Sequence, residues 1–77
     1  MKNVMEGITK EYIGAMCGEF RRYILHESQT RIAKECKVSR ELVSKFEHGR
    51  NSNAVIFMWY IKHGLFTWIP VRRWNGW

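Results

Sequence analysis

The stretch that decides the fold is SQTRIAKECKVSRELVSKFEHGR, from Ser28 to Arg50. Ser28 is a helix-capping residue in front of Gln29–Cys36, a short segment in which Ile32, Ala33 and Cys36 share one helical face. Ser39 repeats the arrangement: it precedes a second segment with Val43 and Phe46 on its apolar side, and His48-Gly49 marks its end. A small residue at Ala33 lets two helices cross closely, and Val38, Val43 and Phe46 lock the second helix against the first. The pattern predicts a helix-turn-helix over residues 29–49. Its second helix turns Arg40, Glu41, Ser44 and Lys45 outward.

Upstream, Ile13, Cys17, Phe20 and Ile24 recur at spacings of four, three and four, which predicts a first helix from Thr9, as N-cap, to Leu25 with those residues on its buried stripe. Gly14 and Gly18 weaken such a helix, so they mark a place where another element comes close. Downstream, after the polar break Arg50-Asn51-Ser52-Asn53, the run AVIFMWYIK ends at His63-Gly64. Eight consecutive apolar residues also suit a buried strand, but the asparagine caps and the terminal glycine favour a helix. Beyond it, LFTWIPVRRWNGW is aromatic, and Pro70 excludes a central strand.

Charge narrows the class of partner. The chain has 77 residues, 13 Lys plus Arg, 7 acidic residues, all Glu, and a net charge of +6. Eight of the basic residues and four of the glutamates fall between Arg21 and Arg50, so +4 of the +6 sits on the motif, where a phosphate backbone would need it. Cys17 and Cys36 lack CxxC spacing and read as core side chains, and His26, His48 and His63 complete no ligand pattern with them. Without a phosphate loop, a nucleophile elbow or a single aspartate, the sequence offers no catalytic constellation, and no cofactor or metal is expected. The N-terminal MKNVMEG lacks a signal-peptide core and the apolar run 54–61 is too short to span a bilayer, so a cytoplasmic chain with no membrane partner is expected.

With these residues in view, the chain resembles the Cro/CI phage-repressor family of Xre-type regulators. The likeness rests on SQTRIAKECKVSRELVSKFEHGR and extends upstream to Ile13-Gly14 and Arg21 and downstream through the fourth helix, about two thirds of the chain. It implies an all-α fold, a compact four- to five-helix lambda-repressor-like DNA-binding domain spanning residues 1–77, with a short aromatic extension from residue 65. It also implies that Gln29, with Thr30, contacts a phosphate or base edge, and that Arg40, Glu41, Leu42, Ser44 and Lys45 face the bases. Arg40 would fork to guanine O6 and N7, Lys45 would reach guanine or phosphate, Glu41 would accept from cytosine N4, and Leu42, turned partly outward, would meet a thymine methyl. Ser39, Arg50, Asn51 and Ser52 would contact the backbone.

Two positions depart from the family. Lys37 stands at a turn position often held by glycine, and would gain a phosphate contact in exchange for strain. The alignment also needs one extra residue within 25–27, and then Arg21 rather than Arg22 pairs with Glu47, as a buried pair or as a solvated surface pair. The resemblance implies a sequence-specific double-stranded DNA-binding transcriptional regulator, a phage or mobile-element repressor acting on a near-palindromic operator as a homodimer. Trp59, Trp68, Arg72, Arg73 and Trp74 would close the core and form the dimer interface. Alternatively, that aromatic and basic region would bind and inhibit a host protein.

Overall fold

Side-chain oxygens start four of the helices. In the computed structural model, which describes residues 9–74 with side chains as far as Ile69, Thr9 Oγ1 accepts from Tyr12 N, Ser28 Oγ from Arg31 N, Ser39 Oγ from Leu42 N and Asn53 Oδ1 from Ile56 N, all at 3.0–3.1 Å. Each bond satisfies a backbone donor that the first turn leaves without a partner, and each contributes about 1 kcal/mol. The helices so begun are α1 (Lys10–Phe20), α2 (Gln29–Cys36), α3 (Arg40–Glu47) and α4 (Ala54–Lys62). A fifth, α5 (Leu65–Trp74), follows Gly64, whose φ of +105° suits the sharp reversal. The described residues contain no strand, and the chain is compact, with a radius of gyration of 12.6 Å.

The first helix differs from the sequence expectation. Regular α-helix stops at Phe20, and Arg21–Leu25 form a π-helical turn that ends at left-handed His26, with φ of 55°. A π-turn is wider than an α-turn and absorbs an extra residue. Ile24 is thereby rotated off the apolar stripe and is 47% exposed, whereas Met16, Cys17 and Phe20 are buried.

The core is assembled from one face of each helix: Cys17 and Phe20 from α1, Ile32 and Ala33 from α2, Val43 and Phe46 from α3, Ile56 and Tyr60 from α4, and Leu65 from α5. Leu42, expected partly outward, is half-buried and packs against this cluster. The apolar run 54–61 is helical, and its surplus apolar residues are left outside: Val55 and Met58 are 57% and 60% exposed. α5 continues through Pro70, which has no N–H to offer the Phe66 carbonyl.

Two helix ends share one geometry. After α3, Gly49 N donates to Phe46 O at 3.1 Å and Arg50 N to Lys45 O at 2.9 Å; after α2, Lys37 N donates to Lys34 O at 3.3 Å and Val38 N to Ala33 O at 3.0 Å. Both are left-handed terminations, with φ of 75° at Gly49 and 59° at Lys37. Lysine at such a position is strained by about 1 kcal/mol, so Lys37→Gly is expected to raise the unfolding free energy by about that amount in urea titrations. Gly14 marks the closest approach between helices: a Cβ there would lie 2.3 Å from Phe46 O and 2.7 Å from Glu47 O, whereas at Gly18 it would meet only side-chain atoms, at 3.1 Å. Backbone cannot yield as a side chain does. Gly14→Ala should therefore destabilise the chain by about 3 kcal/mol, and clearly more than Gly18→Ala in the same titration.

Candidate nucleic-acid interface

The surface expected to meet DNA is built outward from a buried carboxylate. Glu47, in the last turn of α3, accepts four hydrogen bonds, two on each oxygen. Arg21 Nε donates to Oε2 at 2.7 Å and Tyr60 Oη to the same oxygen at 2.5 Å; Arg21 Nη2 and Gln29 Nε2 donate to Oε1 at 3.0 and 2.9 Å. Arg21 also donates from Nη1 to Glu27 O at 3.0 Å, which ties the start of the π-turn to the segment just before α2. The Arg21–Glu47 ion pair is buried, both residues being under 10% exposed. Arg21, not Arg22, fills this place: Arg21 is buried and Arg22 is exposed.

Charge follows from that geometry. Burial by itself would raise the Glu47 pKa, but hydrogen bonds from Arg21, Tyr60 and Gln29, with the Arg21 charge, outweigh it and hold the carboxyl below its ordinary value. Tyr60 is pushed strongly upward, first by burial and then by its bond to the carboxylate, so it remains a donor. Cys17, beneath the network, is pushed up to about 12 by burial and by Glu47, and stays a neutral thiol in the core.

Gln29 carries this order to the surface. Its amide nitrogen is engaged by Glu47, which leaves Oε1 to accept from Arg40 Nη1 at 3.2 Å. The half-buried side chain expected to touch DNA directly is therefore bonded on both ends, and it holds the guanidinium at the start of α3. Along α3, Arg40, Glu41 and Lys45 are exposed and Ser44 is half-buried. Ser39 is occupied as the α3 cap, while Thr30 and Lys37 are exposed on the flanking turns.

Past α3, Gly49 lies against α1, where a Cβ would come within 2.6 Å of Glu11 Cα, and the chain turns so that Arg50 and Ser52 are exposed and Asn51 is half-buried. Ser44, Lys45, His48 and Arg50 line a polar depression of about 180 Å³. His48, at the end of α3, bonds a carbonyl of the last turn. Its Nδ1 lies 2.8 Å from Ser44 O, and since a carbonyl only accepts, Nδ1 carries the proton and Nε2 is left beside the two cations.

The aromatic residues expected to close the core and form the interface take different places. Trp59, expected at an interface, is 8% exposed; its Nε1 donates to Glu35 Oε1 at 2.7 Å and its ring stacks on His63 at 3.9 Å between centroids. It is a core residue because its polar edge finds an acceptor within the fold. Trp68 is half-buried, with its ring 5.2 Å from that of Phe20. The side chains of Arg72, Arg73 and Trp74 lie outside the described residues. No group of three metal-ligating side chains occurs among the described residues, and none of their helices is long and apolar enough to cross a membrane.

No protein-family model matches the chain, and neither a curated protein nor a solved structure is significantly similar to it.

The Glu47 network sets a pH dependence. A carboxyl with a depressed native pKa contributes stability that is complete above its ordinary value of 4.5 and is lost as pH falls below that value through the native pKa. Glu47→Gln leaves Arg21 buried without a counter-charge and is expected to cost about 3–5 kcal/mol at neutral pH. Urea titrations across the acid range should show a steep loss of stability in the parent chain below pH 4.5 and a lower, flatter profile in the variant.

Proposed function

We propose that this chain is a sequence-specific double-stranded DNA-binding transcriptional regulator with a lambda-repressor-like fold, of the Cro/CI type, acting as a dimer on a near-palindromic operator. The observation that carries the reading is the chain of bonds from Glu47 through Gln29 to Arg40. It fixes a guanidinium at the exposed start of a short helix, in line with Glu41, Ser44 and Lys45. Such a helix fits a major groove about 12 Å wide, and a guanidinium held in one orientation before binding loses less freedom when it forks to guanine O6 and N7.

The other residues divide between reading and positioning. Lys45 and Arg50 flank the same depression and suit a phosphate, with Thr30, Lys37 and Ser52 exposed as well. Gln29 acts here through Arg40 rather than as an independent reader. Glu41 accepts from cytosine or excludes a base that offers only acceptors.

Selection of duplexes from a random pool tests the reading. Enrichment of an inverted repeat is expected, with affinity falling steeply as salt rises. Against the selected duplex, Arg40→Ala should cost about 1–3 kcal/mol while leaving affinity for random DNA nearly unchanged, and Lys45→Ala should weaken both and reduce the salt slope by about 1. Equal losses on both duplexes for Arg40→Ala would show that it reads no base; absence of duplex binding at low salt would reject the function.

A further inference from the structure

Two cations at the end of α3 are left without a partner by the fold. Arg21 is paired with Glu47 and Arg31 with Glu27 and Glu35, and Arg40 is bonded to Gln29. Lys45 and Arg50 make no ion pair among the described residues, yet both line the depression of about 180 Å³ that Ser44 and His48 complete. His48 is held in one orientation beside them. The Ser44 carbonyl accepts twice from this residue, from its backbone N at 3.0 Å and from Nδ1 at 2.8 Å. With the proton on Nδ1, Nε2 presents a lone pair, and the oxygens of a phosphodiester also only accept. We propose that His48 completes a seat for a DNA backbone phosphate in this depression and does so as an imidazolium, each phosphate seated there bringing a proton onto Nε2.

Lys45 and Arg50 supply charge, and the protonated Nε2 supplies a directed donor. In the free chain a proton on Nε2 stands beside two like charges; with a phosphate in the depression it stands beside an opposite one. Three carboxylates belong to the same helix or to the one packed against its end. Glu41 lies on the same face of α3, two turns before His48, and Glu11 of α1 lies against Gly49, where a Cβ would meet its Cγ at 2.8 Å. The Glu47 carboxylate is turned inward to its four donors. None of the three lines the depression. Nor does the end of α3 turn bare carbonyls toward an anion: Ser44 O is taken by His48, Lys45 O by Arg50 N and Phe46 O by Gly49 N. Phosphate and proton therefore favour each other. Affinity for DNA rises as pH falls through the range in which imidazoles titrate, and by linkage the complex takes up protons from solution.

The proposal rests on duplex binding by α3 and the loop after it. Fluorescence anisotropy with the selected duplex and with a random one, at constant ionic strength between about pH 8.5 and 5.5, spans the titration of imidazole and tests it. That range stays above 4.5, below which the Glu47 network weakens. The parent chain should bind both duplexes more tightly at the acid end, by about tenfold for each subunit bound. His48→Gln should lose this dependence and keep the affinity that the parent has at the alkaline end, whereas His48→Arg should be equally flat at the parent's acid-end affinity. His26→Asn, which suits the left-handed backbone at φ of 55°, should behave as the parent. Calorimetry near neutral pH in two buffers of different ionisation enthalpy should count proton uptake on binding by the parent and none by His48→Gln. If His48→Gln fails to fold by circular dichroism, His48→Arg and the proton count on the parent still decide. A parent chain that binds duplex with neither pH dependence nor proton uptake, or a His48→Gln variant that retains both, overturns the proposal and leaves the functional reading standing. A pH dependence confined to the selected duplex puts His48 on a base and overturns it likewise. Absence of duplex binding at every pH overturns the functional reading, and this proposal with it.

Discussion

Glu47 is the point at which the sequence-distant parts of this chain are tied together. Its carboxylate is supplied by α3, and its donors come from the π-turn, α2 and α4, while Gly18 of α1 lies against it. A buried ion pair adds little net stability over an apolar replacement, because desolvating both charges offsets most of their attraction. What it contributes is geometry. An apolar cluster would tolerate small rotations of α2 on α3, but four directional bonds to one group do not.

The consequence for the surface is a division of labour between fixed and free side chains. Arg40 stands one bond beyond Gln29 and two beyond Glu47, so its orientation is inherited from the interior. Glu41 and Lys45, on the same helix, are exposed. A helix of eight residues has little intrinsic stability in water. α3 is ordered because Val43 and Phe46 are buried beneath it and Ser39 caps it.

Much of this was legible in the sequence, for reasons that differ by element. Ser28, Ser39 and Asn53 announce helix starts through local chemistry, and Ala33, Val43 and Phe46 announce the crossing because volume at a contact is a local constraint. The π-turn was not legible: RRYIL carries no residue that prefers five-residue spacing, and the turn follows from drawing Arg21 toward Glu47, 26 positions away. The partner that fixes Trp59 was hidden for a similar reason. The indole's burial depends on Glu35, 24 residues earlier, and nothing within AVIFMWYIK shows that the indole would find that acceptor. The link from Gln29 to Arg40 also lay beyond the pattern, since either side chain alone reads as a free DNA contact. Tyr60 was read only as one of an apolar run.

The π-turn at Arg21–Leu25 has a bearing on how a chain of this kind can vary in length. An added residue ordinarily lengthens a loop or shifts every later position of a helix by about 100°. A widened turn such as Arg21–Leu25, with Tyr23 and Ile24 exposed on it, can confine a surplus residue to itself. An insertion can thus be accommodated inside a helix, without lengthening the loop that follows it.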